Sequence, residues 1–182
     1  MSDAMTNTMT DAAPQYRPPI AVDIIYYTGS IGYLGYLLFY YWTGLGGPTL
    51  LAMTMIPLTY ALFTVASLRQ NELYPKLPMA LNYVIATAFV LFSIYCSYYM
   101  NTNYMALGEY RAGLYDTQDL VMGAGMALLI IEYARKRHVP LFILNIVLIL
   151  YAVYGYLVPG MFYHGGLPWD RVISASGVEM AT

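Results

Sequence analysis

Charge is scarce in this chain. Of its 182 residues, eight are Lys or Arg and ten are Asp or Glu, together 10%, against about 25% in ordinary soluble domains. Hydrophobic residues make up 59%, against roughly 45–50% in such domains. Too few ionised side chains are present to cover a water-facing surface, so the composition excludes an ordinary soluble fold and points to lipid as the solvent. The net charge is −2, and no basic tract exceeds three residues, which excludes nucleic acid as a partner. The single cysteine, Cys96, sits in an apolar run. It has no mate for an internal disulfide and reads as a small packing hydrophobe. Two histidines and one cysteine give no metal-ligand spacing. No histidine cluster, paired carboxylates on one helix or nucleophile beside a base is present, so the chain reads as a non-enzyme with no cofactor of its own.

The start of the chain also lacks the basic flank and apolar core of a cleavable signal. Residues 1–22 are polar, contain Pro14, Pro18 and Pro19, and carry Arg17 as their one cation. They read as a disordered tail.

Long apolar runs are what the sequence has instead. A membrane-crossing helix needs about 20 apolar residues. Five segments are expected to be such spans: 24–43, 49–68, 79–100, 117–135 and 139–158. Pro57 is expected to kink the second, and Pro140 suits the first turn of the fifth. The fourth is the weakest. It reaches full length only by starting near Thr117 and carrying Glu132, Arg135, Lys136 and Arg137 at its end, their side chains reaching toward headgroups; a re-entrant helix is the competing reading. The fold class expected is therefore an all-α integral membrane protein of five spans within 23–160, followed by an interfacial segment, 161–182, with a short helix near Trp169.

The basic residues give an orientation. Arg17, Arg69, Lys76, Arg135, Lys136 and Arg137 fall on one side of this arrangement, and Arg111 and Arg171 on the other. The positive-inside rule then puts the N-terminus in the cytoplasm and the C-terminus outside the inner membrane. Glu132 lies three and four residues before Arg135 and Lys136, which is the spacing of intrahelical ion pairs. These four residues read as a structural and topological anchor at the bilayer edge.

Small residues mark helix contacts. Gly29, Gly32 and Gly35 recur every third position, and Gly123 and Ala127 form a small-xxx-small pair, a pattern that lets helices approach closely in lipid. Tyr26, Tyr27, Tyr40, Tyr41 and Trp42 bracket the first span as an interfacial belt. His164 in "YHGGLPWD" reads as a turn residue rather than a base. The loop 101–119 is long and polar, and with the segment after the fifth span it offers Glu109, Arg111, Asp116, Asp170 and Arg171 as a candidate docking surface on the outer side.

Three stretches carry a family resemblance: "YRAGLYDTQDLVMGAG", "LLIIEYARKRHVPLFIL" and "LYAVYGYLVPGMFYHGGLPWDRVIS". In order and spacing they resemble the N-terminal, small-subunit part of fused TRAP (tripartite ATP-independent periplasmic) transporter permeases of the TAXI-served branch. The likeness runs from Glu109 to Ser174, a little over a third of the chain; residues 1–108 agree in hydropathy layout alone. It implies a non-catalytic subunit that scaffolds a large transport subunit and helps dock a periplasmic TAXI-type binding protein. Organic anions, mostly carboxylates, would be taken up on an ion gradient, with sodium or proton coupling in the partner subunit. The relatives continue into a large transport domain where this sequence reaches Thr182, so a separately encoded small subunit is expected. A small accessory subunit of a respiratory or other energy-transducing complex is the alternative that the composition alone allows.

Overall fold

In the computed structural model, residues 18–44, 47–110 and 115–175 are described. The fold they form is all-α, with no strand among the described residues. In chain order the helices are α1 (Ile20–Thr43), α2 (Gly47–Arg69), α3 (Met79–Thr102), α4 (Thr117–Arg137), α5 (Val139–Tyr154) and the short α6 (Trp169–Ile173). A π-helical turn, Ala106–Tyr110, follows α3, and 3₁₀ turns at Gly155–Leu157 and Gly160–Phe162 follow α5. Three helical segments are long and apolar enough to cross a membrane: Gly47–Arg69, Met79–Thr102 and Val139–Leu157. Helices α1 and α4 are 24 and 21 residues long, enough to reach across about 30 Å of hydrocarbon. Tyrosines dilute the hydropathy of the first, and terminal charges dilute that of the second.

Each boundary has a local cause. Helix α1 begins at Ile20, within the stretch assigned to the tail, because Pro19 pre-sets the turn before it and its carbonyl accepts from the Val22 N–H at 2.9 Å. It stops at Gly44, whose φ of 64° caps the helix in the left-handed region. Helix α4 begins at a capping box: the Asp116 side chain accepts from the Thr117 N–H at 2.7 Å, and Asp119 reaches back to the Asp116 N–H at 3.0 Å. Pro140 occupies the first turn of α5 as expected. Pro57 sits inside α2 without ending it. The carbonyl of Thr54, one turn before Pro57, accepts a hydrogen bond from Ser97 of α3 at 3.0 Å.

Successive helices run antiparallel, with α2 at the centre. It packs against α1, α3 and α4, and ten of its residues are buried. By contrast α1 buries only Val22 and Tyr40, and α5 only Val153, so these two helices carry bare apolar faces at the edges of the bundle. Two apolar clusters form the interior. One joins Met53, Cys96, Met100, Leu107, Met122 and Met126 between α2, α3 and α4, where flexible thioethers fill irregular gaps. The other joins Val22, Val65, Leu68, Leu73 and Ala86 near the start of α1. Cys96 is fully buried, as its setting in the sequence implies.

Candidate functional site

The chemistry-bearing side chains gather at the two ends of the bundle. At the end where α2 and α4 finish, Glu132 is the hub. Arg135 donates to its carboxylate from Nε at 2.7 Å and from Nη2 at 2.6 Å, and the Lys136 Nζ lies 3.8 Å away. These are the intrahelical partners that the spacing predicts. A third partner comes from the α2–α3 loop: the Tyr74 hydroxyl donates to Glu132 at 2.7 Å. Lys136 reaches the same loop, donating to the Leu73 carbonyl at 2.5 Å with its Nζ 3.9 Å from the centre of the Tyr74 ring. Asn82 of α3 holds the loop from the other side, donating to the Tyr74 carbonyl at 2.9 Å. Burial and the bond to Glu132 push the Tyr74 hydroxyl pKa up to about 12. Beside this clasp, Arg137 stacks over Phe63, and Tyr133 meets the same ring edge-on at 4.8 Å.

A second clasp at this end ties α1 to α2. Arg69 donates from Nε to Asp23 at 2.5 Å and from Nη2 to the Tyr27 hydroxyl at 3.0 Å, lying over the rings of Tyr26 and Tyr27. From the sequence Arg69 is a topology marker and Tyr26 and Tyr27 are belt residues; the structure joins them into one contact. Tyr74 and Asp23 carry no signal of their own in the sequence, because their partners lie 58 and 46 residues away.

At the opposite end a buried carboxylate links α3 to α4. Asp119 is fully buried; it accepts from the Tyr99 hydroxyl at 2.5 Å as well as from the Asp116 N–H. The candidate docking residues that are described fall at three places in the chain. Glu109 is exposed in the π-helical turn, Asp116 is exposed as the N-cap of α4, and Asp170 and Arg171 are exposed in α6. Arg111 lies outside the described residues.

His164 is an internal latch. Its Nε2 is 2.9 Å from the Tyr151 carbonyl, and its Nδ1 accepts from the Gly166 N–H at 3.0 Å. The ring packs edge-on against Tyr151 and fills the space over Gly155, where a Cβ would stand 1.9 Å from Nε2. Both ring nitrogens are engaged in folding the segment after α5 back onto that helix. Of the small residues, Gly29 packs against Leu62, while a Cβ on Gly32 or Gly35 would have no neighbour within 4 Å. Gly123 is buried, and Ala127 lines a cleft shared with Asn145, Ala152 and Val172. A tight α3–α4 contact is made at a glycine that the stripe pattern omits: a Cβ on Gly125 would stand 2.1 Å from the Phe92 ring.

No group of three or more His, Cys, Asp or Glu side chains suited to a metal ion occurs among the described residues. An apolar cavity of about 400 Å³ lies between α2 and α4 beside Pro57, Tyr60, Met126 and Tyr133. No protein-family model, curated protein or solved structure matches the chain.

Proposed function

We propose that the chain is a non-catalytic membrane subunit of a TRAP-type secondary transporter, with five spans, its N-terminus in the cytoplasm and its C-terminus outside the inner membrane. It scaffolds a large transport subunit and helps dock a periplasmic TAXI-type binding protein, in the uptake of organic anions on an ion gradient. The observation that carries the passive role is where the charges are. Asp23, Arg69, Glu132, Arg135 and Lys136 are engaged with one another or with the α2–α3 loop at one end, and Asp119 is engaged with Tyr99 at the other. Binding an anion inside a bilayer calls for intramembrane charge, unwound backbone or half-helix ends near the midplane. Helices α2, α3 and α5 carry no charged residue short of their ends, and their exposed apolar surface suits contact with lipid or with a larger membrane partner. The transporter class itself rests on the three sequence stretches between Glu109 and Ser174.

Affinity purification of the tagged full chain from its native membranes, with mass identification of what accompanies it, tests this reading. A many-span permease and a periplasmic binding protein are the expected companions; a set of redox subunits would replace the reading with the accessory-subunit alternative. Charge reversal at Glu109, Arg111, Asp170 and Arg171 is expected to weaken uptake while assembly is retained. Uptake indifferent to all four reversals would remove the docking role.

A further inference from the structure

We propose that α5 pairs in parallel with α5 of a second copy of this chain, the two Asn145 side chains hydrogen-bonding to each other across a two-fold axis. This requires that α5 cross a bilayer; it does not depend on the transporter reading.

Helix α5 is apolar apart from Tyr151, Tyr154 and one carboxamide, Asn145. Within the membrane-length segment Val139–Leu157, Asn145 stands six residues from the start, about 9 Å in at 1.5 Å per residue. That is well inside a roughly 30 Å hydrocarbon layer. The side chain is half-buried and lines the cleft beside Ala127, Ile131, Leu148 and Ala152. Its amide makes no hydrogen bond to another described residue, and protein does not seal it from outside. An amide left unmet in hydrocarbon is costly. Lipid tails offer it no hydrogen bond. An ordered water needs about two to four polar partners, and every other side chain lining this cleft is apolar. A polar group on another membrane helix is what remains.

The spacing around Asn145, together with the geometry of a bilayer, selects a second copy. Leu141, Asn145 and Leu148 are separated by four residues and then three, the a/d spacing of a helix seam. Leu141 and Leu148 are each 52% exposed, so the seam is open. Two copies inserted the same way hold their α5 helices parallel and at one depth. The residue at the level of Asn145 on the second α5 is therefore Asn145 again. A carboxamide carries both donors and an acceptor, so two of them satisfy one another. A lone Asn at an a position fixes register in parallel pairs for this reason. The contact uses the same patch on both copies and closes at two. The next seam position, Ala152, is small enough for close approach. There the Leu167 N–H donates to the Ala152 carbonyl at 2.8 Å, and the returning segment bounds the seam.

The test is energy transfer between donor- and acceptor-labelled copies of the full chain, reconstituted in phosphatidylcholine vesicles over a series of protein-to-lipid ratios. The wild type is expected to show a reversible monomer–dimer equilibrium. Asn145→Leu keeps the size of the side chain and favours the monomer's own insertion, and is expected to weaken pairing about fivefold to tenfold. Asn145→Gln retains the carboxamide and should recover part of that loss. In the same vesicles Leu148→Cys is expected to form a disulfide-linked dimer on mild oxidation. Leu150→Cys, about 200° round the helix, should not. A wild type that stays monomeric at every ratio overturns the proposal and leaves Asn145 to a helix of another protein. Asn145→Leu pairing as tightly as the wild type also overturns it, as does Leu150→Cys linking as readily as Leu148→Cys.

Discussion

Glu132 and Lys136 illustrate how a charged pair is kept near a membrane edge. The Lys136 side chain is only 12% exposed and that of Glu132 19%, so neither is fully hydrated. Each has partners both within α4 and in the α2–α3 loop. Removing one member strands the other. Glu132→Ala is therefore expected to cost about 2–3 kcal/mol in thermal unfolding in detergent, less than for a fully buried pair because Arg135 is half exposed. Tyr74→Phe removes a single donor to a carboxylate and is expected to cost about 1–2 kcal/mol. The informative variant is the double replacement of Glu132 and Lys136 by Met. Because it removes both charges together, its cost should fall below the sum of the single changes. A double variant as destabilised as that sum would mean the two groups act independently, against the shared clasp described here.

At the scale of elements, the segment after α5 depends on one pair of residues from opposite ends of a short stretch. His164 fits over α5 only because position 155 has no Cβ, and Gly166, at φ 73°, brings its backbone against the Val153 carbonyl. Gly155→Ala must push the imidazole out of place, and His164→Ala removes it. Both variants are expected to raise hydrogen exchange in residues 160–175 to the same degree, and combining them should add nothing further. Exchange that increases additively would show that the histidine does not act through Gly155. The α3–α4 contact obeys the same geometry. Gly125→Ala forces the Phe92 ring to move, at a cost of about 1–3 kcal/mol, and Phe92→Leu in the same chain should recover part of it by making room.

Over the whole molecule, what could be read from the sequence was what depends on neighbours along the chain. The all-helical fold, the Pro140 start of α5 and the Glu132–Arg135–Lys136 spacing follow from local composition and spacing, and each matches a feature of the structure, whereas three of the five expected spans are long and apolar enough to cross a membrane. The contacts that join helices were not legible. Tyr74 with Glu132, Asp23 with Arg69 and Tyr99 with Asp119 pair residues far apart, and nothing local distinguishes one tyrosine among 21. The small-residue stripe was likewise only partly informative, because a glycine on a helix signals clearance without naming the neighbour: Gly29 meets Leu62, Gly125 meets Phe92, and Gly32 faces open space. One property of the composition makes the proposed five-span topology directly measurable. Cys96, the sole cysteine, is fully buried and poorly placed to react, so new cysteines report alone. Lys76→Cys, Glu109→Cys and Arg137→Cys stand in the α2–α3 loop, after α3 and at the end of α4. In intact cells whose outer face admits a membrane-impermeant maleimide, Glu109→Cys is expected to label, while Lys76→Cys and Arg137→Cys stay protected until the inner membrane is opened. Arg137→Cys decides whether α4 crosses. Protection puts it on the same side as Lys76, as a crossing α4 requires. Labelling alongside Glu109→Cys would make α4 re-entrant and would reverse the side assigned to three of the basic residues on which the orientation rests.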